Sequence, residues 1–257
     1  MKTERNYGAM NSILEVTDLV KTYKTKESGY ETTALNGISF EIEEGDFVAV
    51  MGESGSGKST LLNLLAALDV PTKGKITLGG KELSGFTDKE LSSFRRDNLG
   101  FVFQEFNLLD NFTLRENIAL PLVLSGVKRP EASKRTKPIA ELLGIEKLLD
   151  KYPYQVSGGE KQRCAIARAL ITAPKLLLAD EPTGALDSKN SERTMESFRS
   201  INHERGQTIV MVTHSAKAAA AASRILMIKD GRIGNTIICA GKSVEQIEDE
   251  INRSLRA

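Results

Sequence analysis

The chain has 257 residues, of which 40% are hydrophobic, so it can bury a substantial core in one large domain or two small ones. Its 35 Lys and Arg residues nearly balance its 34 Asp and Glu residues. This balance argues against a protein that coats nucleic acid with cationic side chains, and we predict no nucleic-acid partner.

The cysteine content and the N-terminus indicate a reducing compartment. The spacing of Cys164 and Cys239 fits neither a CxxC redox pair nor a zinc site, so we expect two buried thiols. Residues 1–11 lack the apolar run of a signal peptide and are expected to be flexible. No stretch approaches the ~18–20 apolar residues of a membrane-spanning helix. We therefore expect a soluble, cytoplasmic chain.

The first third of the chain predicts strands followed by a helix. Alternating apolar and polar residues at 13–16 and 38–42 are typical of half-buried strands, and the polar segment 24–33 predicts an exposed loop between them. The continuous apolar run at 47–51 predicts a strand buried on both faces. A helix should begin near Lys58. Its packed side should carry Leu61, Leu62, Leu64, Leu65 and Leu68.

The middle of the chain is predicted to be mainly helical from about 92 to 151, with a break at Pro121. A further helix is expected over 157–173, ending before Pro174. The apolar residues at 176–179 predict another buried strand.

The last part of the chain predicts a helix at 188–205, a strand at 208–213, and a hairpin in which residues 225–228 precede the turn Lys229-Asp-Gly-Arg. The tail, 241–257, predicts a charged amphipathic helix. Its apolar residues at helical spacing are Val244, Ile247, Ile251 and Leu255. This helix packs either on the core of the chain, which we favour, or on a partner. Strands that alternate with helices predict an α/β fold with a largely parallel sheet.

The segment from Gly52 to Ser59 matches the phosphate-binding pattern GxxxxGK[ST] between a predicted buried strand and a helix. Its backbone N–H groups and the helix N-terminus should surround a phosphate chain, with Lys58 on the β- and γ-phosphates and Ser59 on Mg²⁺. A glycine-rich turn without a ligand is the alternative, which eight matching positions make a poor one. The expected nucleotide contacts are Gly52, Ser54, Gly55, Ser56, Gly57, Lys58, Ser59 and Thr60.

Two carboxylates, Asp180 and Glu181, follow the strand predicted at 176–179. Ligands of α/β sheets bind at such carboxyl ends of strands. Asp180 is therefore placed to hold Mg²⁺, directly or through water, and Glu181 to polarise an attacking water. A solvated acidic pair is the alternative, and the phosphate-binding pattern decides against it.

A second helix start lies at Ser157-Gly-Gly-Glu160, where Ser157 and Glu160 occupy the two positions of a capping box. Gly158 and Gly159 leave room for an anion to approach the helix N-terminus. An ordinary capped helix is the alternative, but it does not require two glycines. Two phosphate-facing helix starts suggest that two chains share one nucleotide.

With these motifs the chain resembles the ATP-hydrolysing subunits of ABC transporters over nearly its whole length. The resemblance implies a P-loop NTPase core with an N-terminal antiparallel β subdomain and an inserted helical subdomain, and it implies ATP and Mg²⁺ as cofactors. It places the ATPase domain at 12–235, the helical insertion at about 92–158 and a tail helix at 236–257.

Further residues match this family in order. Tyr23 corresponds to an aromatic residue that stacks on adenine, although a strand-end tyrosine without a ligand is a serious alternative and Tyr30 lies nearby. Gln104 matches the glutamine that senses Mg²⁺ and the membrane partner, and Asp187 lies in the loop that crosses the dimer interface. His214 matches the histidine that contacts the γ-phosphate. The chain departs from the commoner family pattern at Glu160, where Gln is usual.

The resemblance implies a head-to-tail dimer with each nucleotide between the two copies. Residues expected to act from one copy are Lys58, Ser59, Gln104, Asp180, Glu181 and His214. Residues expected to act from the second copy are Ser157, Gly158, Gly159 and Asp187. Closure and reopening of this dimer would be the mechanical output.

The expected membrane partner is a permease, which would hold the chain at the cytoplasmic face of the membrane. Apolar residues within 106–112 fit a groove that receives the permease, or alternatively a small satellite core. Segments 107–118, 182–188 and 211–220 are most similar to the bacterial branch that resists antimicrobial peptides such as bacitracin through permeases with a large extracellular domain.

ATPases of lipoprotein release or macrolide export are close alternatives within the same family. Soluble ABC ATPases and nucleoside kinases fit less well, because the chain has one P-loop, a short span between Gln104 and Ser157, and the Ser157-Gly-Gly-Glu motif.

Overall fold

The computed structural model describes residues 12–24 and 31–256. The N-terminal segment 1–11, expected to be flexible, lies outside these ranges, as does most of the loop expected at 24–33. At both ends of that loop the flanking strands run further than the sequence predicts.

The strands of the described residues are β1 Ser12–Lys24, β2 Glu31–Glu43, β3 Phe47–Met51, β4 Lys73–Leu78, β5 Lys81–Glu82, β6 Leu99–Val102, β7 Leu176–Asp180, β8 Thr208–Val212, β9 Arg224–Lys229 and β10 Arg232–Ile238. The α-helices are α1 Lys58–Leu65, α2 Asp88–Asn98, α3 Leu114–Leu124, α4 Arg129–Leu142, α5 Gly158–Leu170, α6 Ser188–Arg205, α7 Ala216–Ala219 and α8 Val244–Arg256.

The strands form two sheets, which confirms the predicted fold class. An antiparallel sheet has the order β2-β1-β4-β5, and a six-stranded sheet has the order β10-β9-β3-β8-β7-β6. In the larger sheet β3 pairs in parallel with β8 and β9, and β7 pairs in parallel with β6 and β8. The carboxyl ends of β3, β7 and β8 therefore meet at one edge, where the segments that follow Met51, Asp180 and Val212 begin.

The predicted double burial of β3 is confirmed. Phe47, Ala49 and Met51 belong to one apolar cluster, whereas Val48 and Val50 belong to the other. The residues alternate because successive side chains of a strand point to opposite faces. Strand β3 therefore separates two layers of core.

The prediction for residues 92–151 was partly wrong. Helix α2 begins at Asp88, where Thr87 and Glu90 form a capping box, and strand β6 interrupts the helical stretch at Leu99–Val102. A Cβ on Gly100 would lie 2.4 Å from the carbonyl oxygen of Ala169, so the strand needs glycine where it contacts α5.

The break predicted at Pro121 is absent from the described helix, because α3 continues to Leu124. Pro121 lies in the last turn of α3, where the loss of one backbone donor interrupts little helix. Ser125 Oγ donates to the Pro121 carbonyl at 2.9 Å, which satisfies one group at the helix end.

Leu68 was expected on the packed side of the first helix, but its side chain is 56% exposed. Helix α1 ends at Leu65, and Ala67 has a φ of +52°. This left-handed residue turns the chain away from the helical direction, so the helical spacing that predicted burial no longer applies at Leu68.

The tail helix packs on the core, as favoured from the sequence. Ile247 and Ile251 are buried in the same apolar cluster as Ile237 of β10. The tail range 236–257 also contains the end of strand β10, which runs to Ile238. Cys164 and Cys239 are free and buried, as expected. Within residues 12–24 and 31–256, no helix is both long and apolar enough to cross a bilayer.

Candidate active site

The glycine-rich segment after β3 forms a loop that leads into α1, as predicted. A Cβ on Gly52 would lie 2.1 Å from the Ile228 carbonyl oxygen, and one on Gly57, whose φ is +104°, would lie 2.5 Å from the Ala34 carbonyl oxygen. The Gly231 N–H donates to Ser56 O at 3.2 Å. Both glycines are therefore required by close packing of the loop on strand β2 and on the β9–β10 hairpin.

The hairpin that supports this loop has the predicted turn. Asp230 and Gly231 have φ values of +50° and +70°, the left-handed pair that a two-residue turn between antiparallel strands requires. The Asn36 N–H donates to the Gly231 carbonyl at 2.8 Å, which ties the turn to β2. The loop thus rests on two elements fixed independently of any ligand.

Lys58 lies at the start of α1 and folds back over its own loop. Its Nζ donates to Gly52 O at 2.8 Å and to Glu53 O at 2.7 Å. Burial lowers the pKa of Lys58, and the charges of Glu181 and Asp180 oppose this shift. The ammonium therefore lies near both carboxylates predicted for the site.

Asp180 and Glu181 follow one another at the carboxyl end of β7. Burial raises the pKa of Asp180, Glu181 raises it further, and Lys58 lowers it. Glu181 has a φ of +44°, and its N–H donates to Val212 O at 2.9 Å across to β8. A non-glycine residue in this region is strained, and such strain is concentrated at functional sites.

Glu181 and His214, predicted from separate motifs, are paired. His214 Nδ1 lies 2.9 Å from Glu181 Oε1, and the His214 N–H donates to Glu181 Oε2 at 3.2 Å. Both carboxylate oxygens are therefore engaged by one residue. The Glu181 side chain is mostly buried, whereas that of His214 is exposed.

The glycine-rich loop, Glu181 and His214 line one cleft of about 400 Å³. Its lining residues are Ala34, Gly52, Ser54, Gly55, Gly57, Lys58, Ser59, Thr60, Glu181 and His214. The structure thus brings together the loop, the carboxylate and the histidine predicted for the site. It also adds Ala34, which the sequence did not single out because its side chain carries no chemistry.

Among the described residues, four predicted for the site within one copy do not line this cleft, namely Tyr23, Ser56, Gln104 and Asp180. A Cβ on Gly184 would lie 2.9 Å from Gln104 Nε2, so Gln104 rests on the loop that follows Glu181. Tyr23 is 42% exposed, and its hydroxyl donates to Asp69 Oδ2 at 2.9 Å. The Lys21 ammonium lies 4.9 Å from the centre of the Tyr23 ring.

The second helix start has the predicted capping box. The Glu160 N–H donates to Ser157 Oγ at 3.4 Å, and Glu160 Oε2 accepts from the Ser157 N–H at 2.8 Å. Asp187 caps α6 by accepting from the Asn190 N–H at 2.9 Å. Within the described chain, Ser157, Gly158, Gly159 and Asp187 are absent from the lining of the cleft.

Packing within the chain requires glycine at position 159, which the sequence did not indicate. A Cβ at this position would lie 2.3 Å from Asn190 Oδ1 of α6. At Gly158 the nearest atom would be Leu186 Cδ2, at an ordinary contact distance of 3.4 Å. An ordinary capped helix packed in this way therefore already requires glycine at position 159, but not at position 158.

Comparison with known families decides the assignment that the site suggests. The family model described as "ABC transporter" matches residues 35–184, a range that contains the P-loop, Gln104, Ser157 and Glu181. The chain belongs to the ABC transporter family. It carries the ATP-binding domain of that family, and its activity is ATP hydrolysis.

Relatives in this family are similar along most of the chain. The bacitracin export ATP-binding protein BceA of Halalkalibacterium halodurans is 47% identical over 222 residues, which cover 86% of this chain and 87% of the relative. The lipoprotein-releasing system ATP-binding protein LolD of Geobacter metallireducens is 44% identical over 224 residues, which cover 87% of this chain and 99% of the relative.

A solved structure supports the assignment of this chain to the ABC transporter family. The ATP-binding cassette MJ0796, described as a dimer in a post-hydrolysis state with ADP and Pi, is 40% identical and superposes with a TM-score of 0.79. The match covers 89% of this chain and all of that one. This agreement confirms the fold that the motifs and the resemblance predicted.

Proposed function

We propose that two copies of the chain close head to tail around two ATP molecules and so drive a membrane permease. The observation that carries this proposal is the composition of the cleft, which contains the P-loop, Glu181 and His214 but not Ser157 or Asp187 of the described chain. The N-termini of α5 and α6 are therefore left for a second copy. MJ0796, described as dimeric, supports the proposal that two copies associate.

In each site the chain would hold a phosphate chain and one Mg²⁺. The oxygens of Ser59, Asp180 and Gln104 suit Mg²⁺, which takes few protein oxygens when it also binds phosphates. When bound, the ion would neutralise charge on the β- and γ-phosphates. Lys58 would contact the same phosphates, and Tyr23 would stack on the adenine at the edge of the site.

Glu181 is proposed as the base that takes a proton from the attacking water. His214 fixes both of its oxygens, with Nδ1 at 2.9 Å and the backbone N–H at 3.2 Å. A carboxylate held in this way cannot rotate away from the water, and orientation of this kind is a large part of catalysis in phosphoryl transfer. Ser157, Gly158, Gly159 and Asp187 of the second copy would complete the site.

The permease is proposed to dock beside Gln104 at the cytoplasmic face of the membrane. Leu109 and Phe112 are 44% and 37% exposed, although they belong to a loop that Asn117 holds in place. A rigid loop that presents apolar side chains suits a docking surface. Leu108 packs partly against the core, so the satellite-core alternative describes that residue but not Leu109 or Phe112.

We further propose that this permease has a large extracellular domain and that the system defends bacteria against antimicrobial peptides. The similarity to BceA, named for bacitracin export, supports this choice. The similarity to LolD, at 44% identity, favours lipoprotein release as the alternative. Macrolide export is a further alternative within the family, and a soluble ABC ATPase fits less well. The division into an ATPase domain at 12–235, a helical insertion at about 92–158 and a tail at 236–257 is part of this proposal.

The catalytic proposal is tested with Glu181→Gln. Because removal of a general base lowers rates by roughly 10²- to 10⁴-fold, this variant should bind ATP, hydrolyse it at least about 100 times more slowly and remain dimeric with ATP. ATPase assays and light scattering measure the two properties. Glu141→Gln, a similar change at an exposed position of α4, is the matched control. Near-normal hydrolysis by Glu181→Gln would refute Glu181 as the base.

The transport proposal is tested by crosslinking the tagged chain in its native cells and identifying what copurifies from the membrane fraction. A permease with a large extracellular domain, together with greater bacitracin sensitivity after deletion of the gene, is the expected result. Unchanged sensitivity with loss of lipoprotein release would favour the alternative. Recovery of soluble partners alone would contradict transport and leave the ATPase chemistry standing.

A further inference from the structure

Gln162 of helix α5 has a fully buried side chain that bonds to two segments of the site. Its Nε2 donates to Pro182 O at 2.7 Å and approaches Phe103 O at 3.4 Å. Pro182 directly follows Glu181, and Phe103 directly precedes Gln104. One amide therefore joins the segment of the proposed base to the segment of the proposed Mg²⁺ ligand.

The orientation of this amide is fixed by its two acceptors. Exchange of the nitrogen and oxygen would place Oε1 against two carbonyl oxygens, which is repulsive. The remaining oxygen, Oε1, is buried with no donor among the residues that the structure describes. An apolar side chain of this size would remove the unpaired acceptor, but it would also take away the donor to Pro182 O, so these two effects on stability oppose each other.

The two segments also touch each other directly. Gln104 rests against Gly184, where a Cβ would lie 2.9 Å from Gln104 Nε2, and the Gly184 N–H donates to Glu181 O at 2.9 Å. Pro182, which Gln162 holds, lies between Glu181 and Gly184 in this turn. A shift of Pro182 would therefore move both the proposed base and the surface on which Gln104 rests.

We propose that Gln162 is a positioning residue for ATP hydrolysis, which sets the Gln104 segment against the turn that carries Glu181. This inference rests on the proposed roles of Gln104 and Glu181. Gln162 does not line the cleft, so it acts through those segments rather than on the nucleotide. Since Gln162 lies on the helix that begins after Ser157, movement of that helix by a second copy would reach both segments through this amide.

The test is Gln162→Met, which keeps the size of the side chain and removes its donor. In the purified full chain, kcat should fall roughly 10- to 100-fold, because small displacements of reacting groups have effects of this size. The KM for ATP should stay within about twofold, since no nucleotide contact is lost. The melting temperature should fall only modestly, because loss of the bond to Pro182 O is partly offset by removal of the unpaired Oε1.

Thr136→Val is the matched control. Thr136 of helix α4 is as buried as Gln162, and its hydroxyl donates to the carbonyl oxygen of Ser133 in α4 at 2.7 Å. Thr136 does not line the cleft. This variant should keep the wild-type kcat. A loss of kcat equal to that of Gln162→Met would show that any buried polar deletion in the helical region lowers activity, and would overturn the proposal.

A double-mutant cycle with Gln104→Ala tests the route. If Gln162 acts through the Gln104 segment, the fold-loss of kcat in the double variant should be much smaller than the product of the two single fold-losses. Additive effects, or a folded Gln162→Met with normal kcat, would overturn the inference. If Gln162→Met does not fold, Gln162→Leu, which also lacks the donor and carries no charge, is measured under the same criteria. If Glu181→Gln kept its activity, the proposed base would be refuted instead. All of these assays use the purified chain and need no permease.

Discussion

Replacement of Gly159 by alanine would separate two reasons for a glycine at this position. The sequence suggests room for an anion, whereas the structure shows that helices α5 and α6 approach each other closely. A Cβ on Gly159 would lie 2.3 Å from Asn190 Oδ1 and 2.6 Å from Asn190 Cγ, and real Cβ contacts essentially never fall below 3.0 Å. The packing reason predicts a loss of stability even without nucleotide.

The size of this loss follows from one stabilising effect and two destabilising effects. Alanine favours a helix over glycine by up to ~1 kcal/mol. Overpacking costs about 1–3 kcal/mol. Displacement of Asn190 would also break the bond from its Nδ2 to Asp187 Oδ2, which is 2.6 Å long, at a cost of about 1 kcal/mol. The clash outweighs the helix propensity, and we expect Gly159→Ala to lose about 1–3 kcal/mol of unfolding free energy.

Gly158→Ala is the matched control, because its Cβ would meet its nearest neighbour, Leu186 Cδ2, at 3.4 Å. It should equal the wild type or gain up to ~1 kcal/mol from helix propensity. Equilibrium urea unfolding of the purified chain without nucleotide measures all three proteins. Adding Asn190→Ala should restore part of the loss, since two of the three closest atoms disappear while Cβ, at 2.9 Å, remains. If Gly159→Ala proved as stable as Gly158→Ala, the packing argument would be wrong.

Two further predictions concern titratable side chains. Because burial and Glu181 raise the folded-state pKa of Asp180 above the ordinary 3.8, its contribution to stability is full below that pH and is lost as pH rises through the folded-state pKa. Asp180→Asn should therefore raise the melting temperature at neutral pH without nucleotide, and the gain should shrink toward about pH 3; a gain that does not depend on pH would contradict this cause. Burial raises the pKa of Cys164 to about 12, so native protein at pH 8 should resist iodoacetamide, whereas unfolding in urea should allow alkylation. Mass spectrometry of the two samples decides the point, and labelled Cys164 in native protein would contradict it.

Helix α6 shows what the sequence could predict. Its bounds, Ser188–Arg205, agree with the predicted range because both ends carry local signals. Asp187 caps the first turn, and Gly206, with a φ of +63°, ends the last. The sequence could also predict that Glu181 and His214 lie close together, since both follow buried strands that end at the same edge of a parallel sheet.

The features that the sequence missed depend on contacts between distant segments. Strand β6 has four residues, too few for its period to be distinguished from the surrounding helical pattern, and its pairing with β7 decides its state. Ala34 lines the cleft only because β2 passes the P-loop, and its methyl group gives no signal. The packing of Gly159 on Asn190 likewise joins positions 31 residues apart in the sequence (190 − 159), which no local rule connects.

In the proposed site, the Lys58 side chain is held in place before a phosphate chain would bind. The ammonium has three N–H donors, and two are used by the Gly52 and Glu53 carbonyls, which hold the long side chain in one conformation. The conformational entropy of a lysine, up to ~2 kcal/mol, is thus lost on folding rather than on binding. The third donor would be free for a phosphate oxygen in the proposed site. Since Gly52 packs closely on Ile228 of β9 and Gly57 on Ala34 of β2, the shape of the loop depends on these two strands as well as on the motif itself.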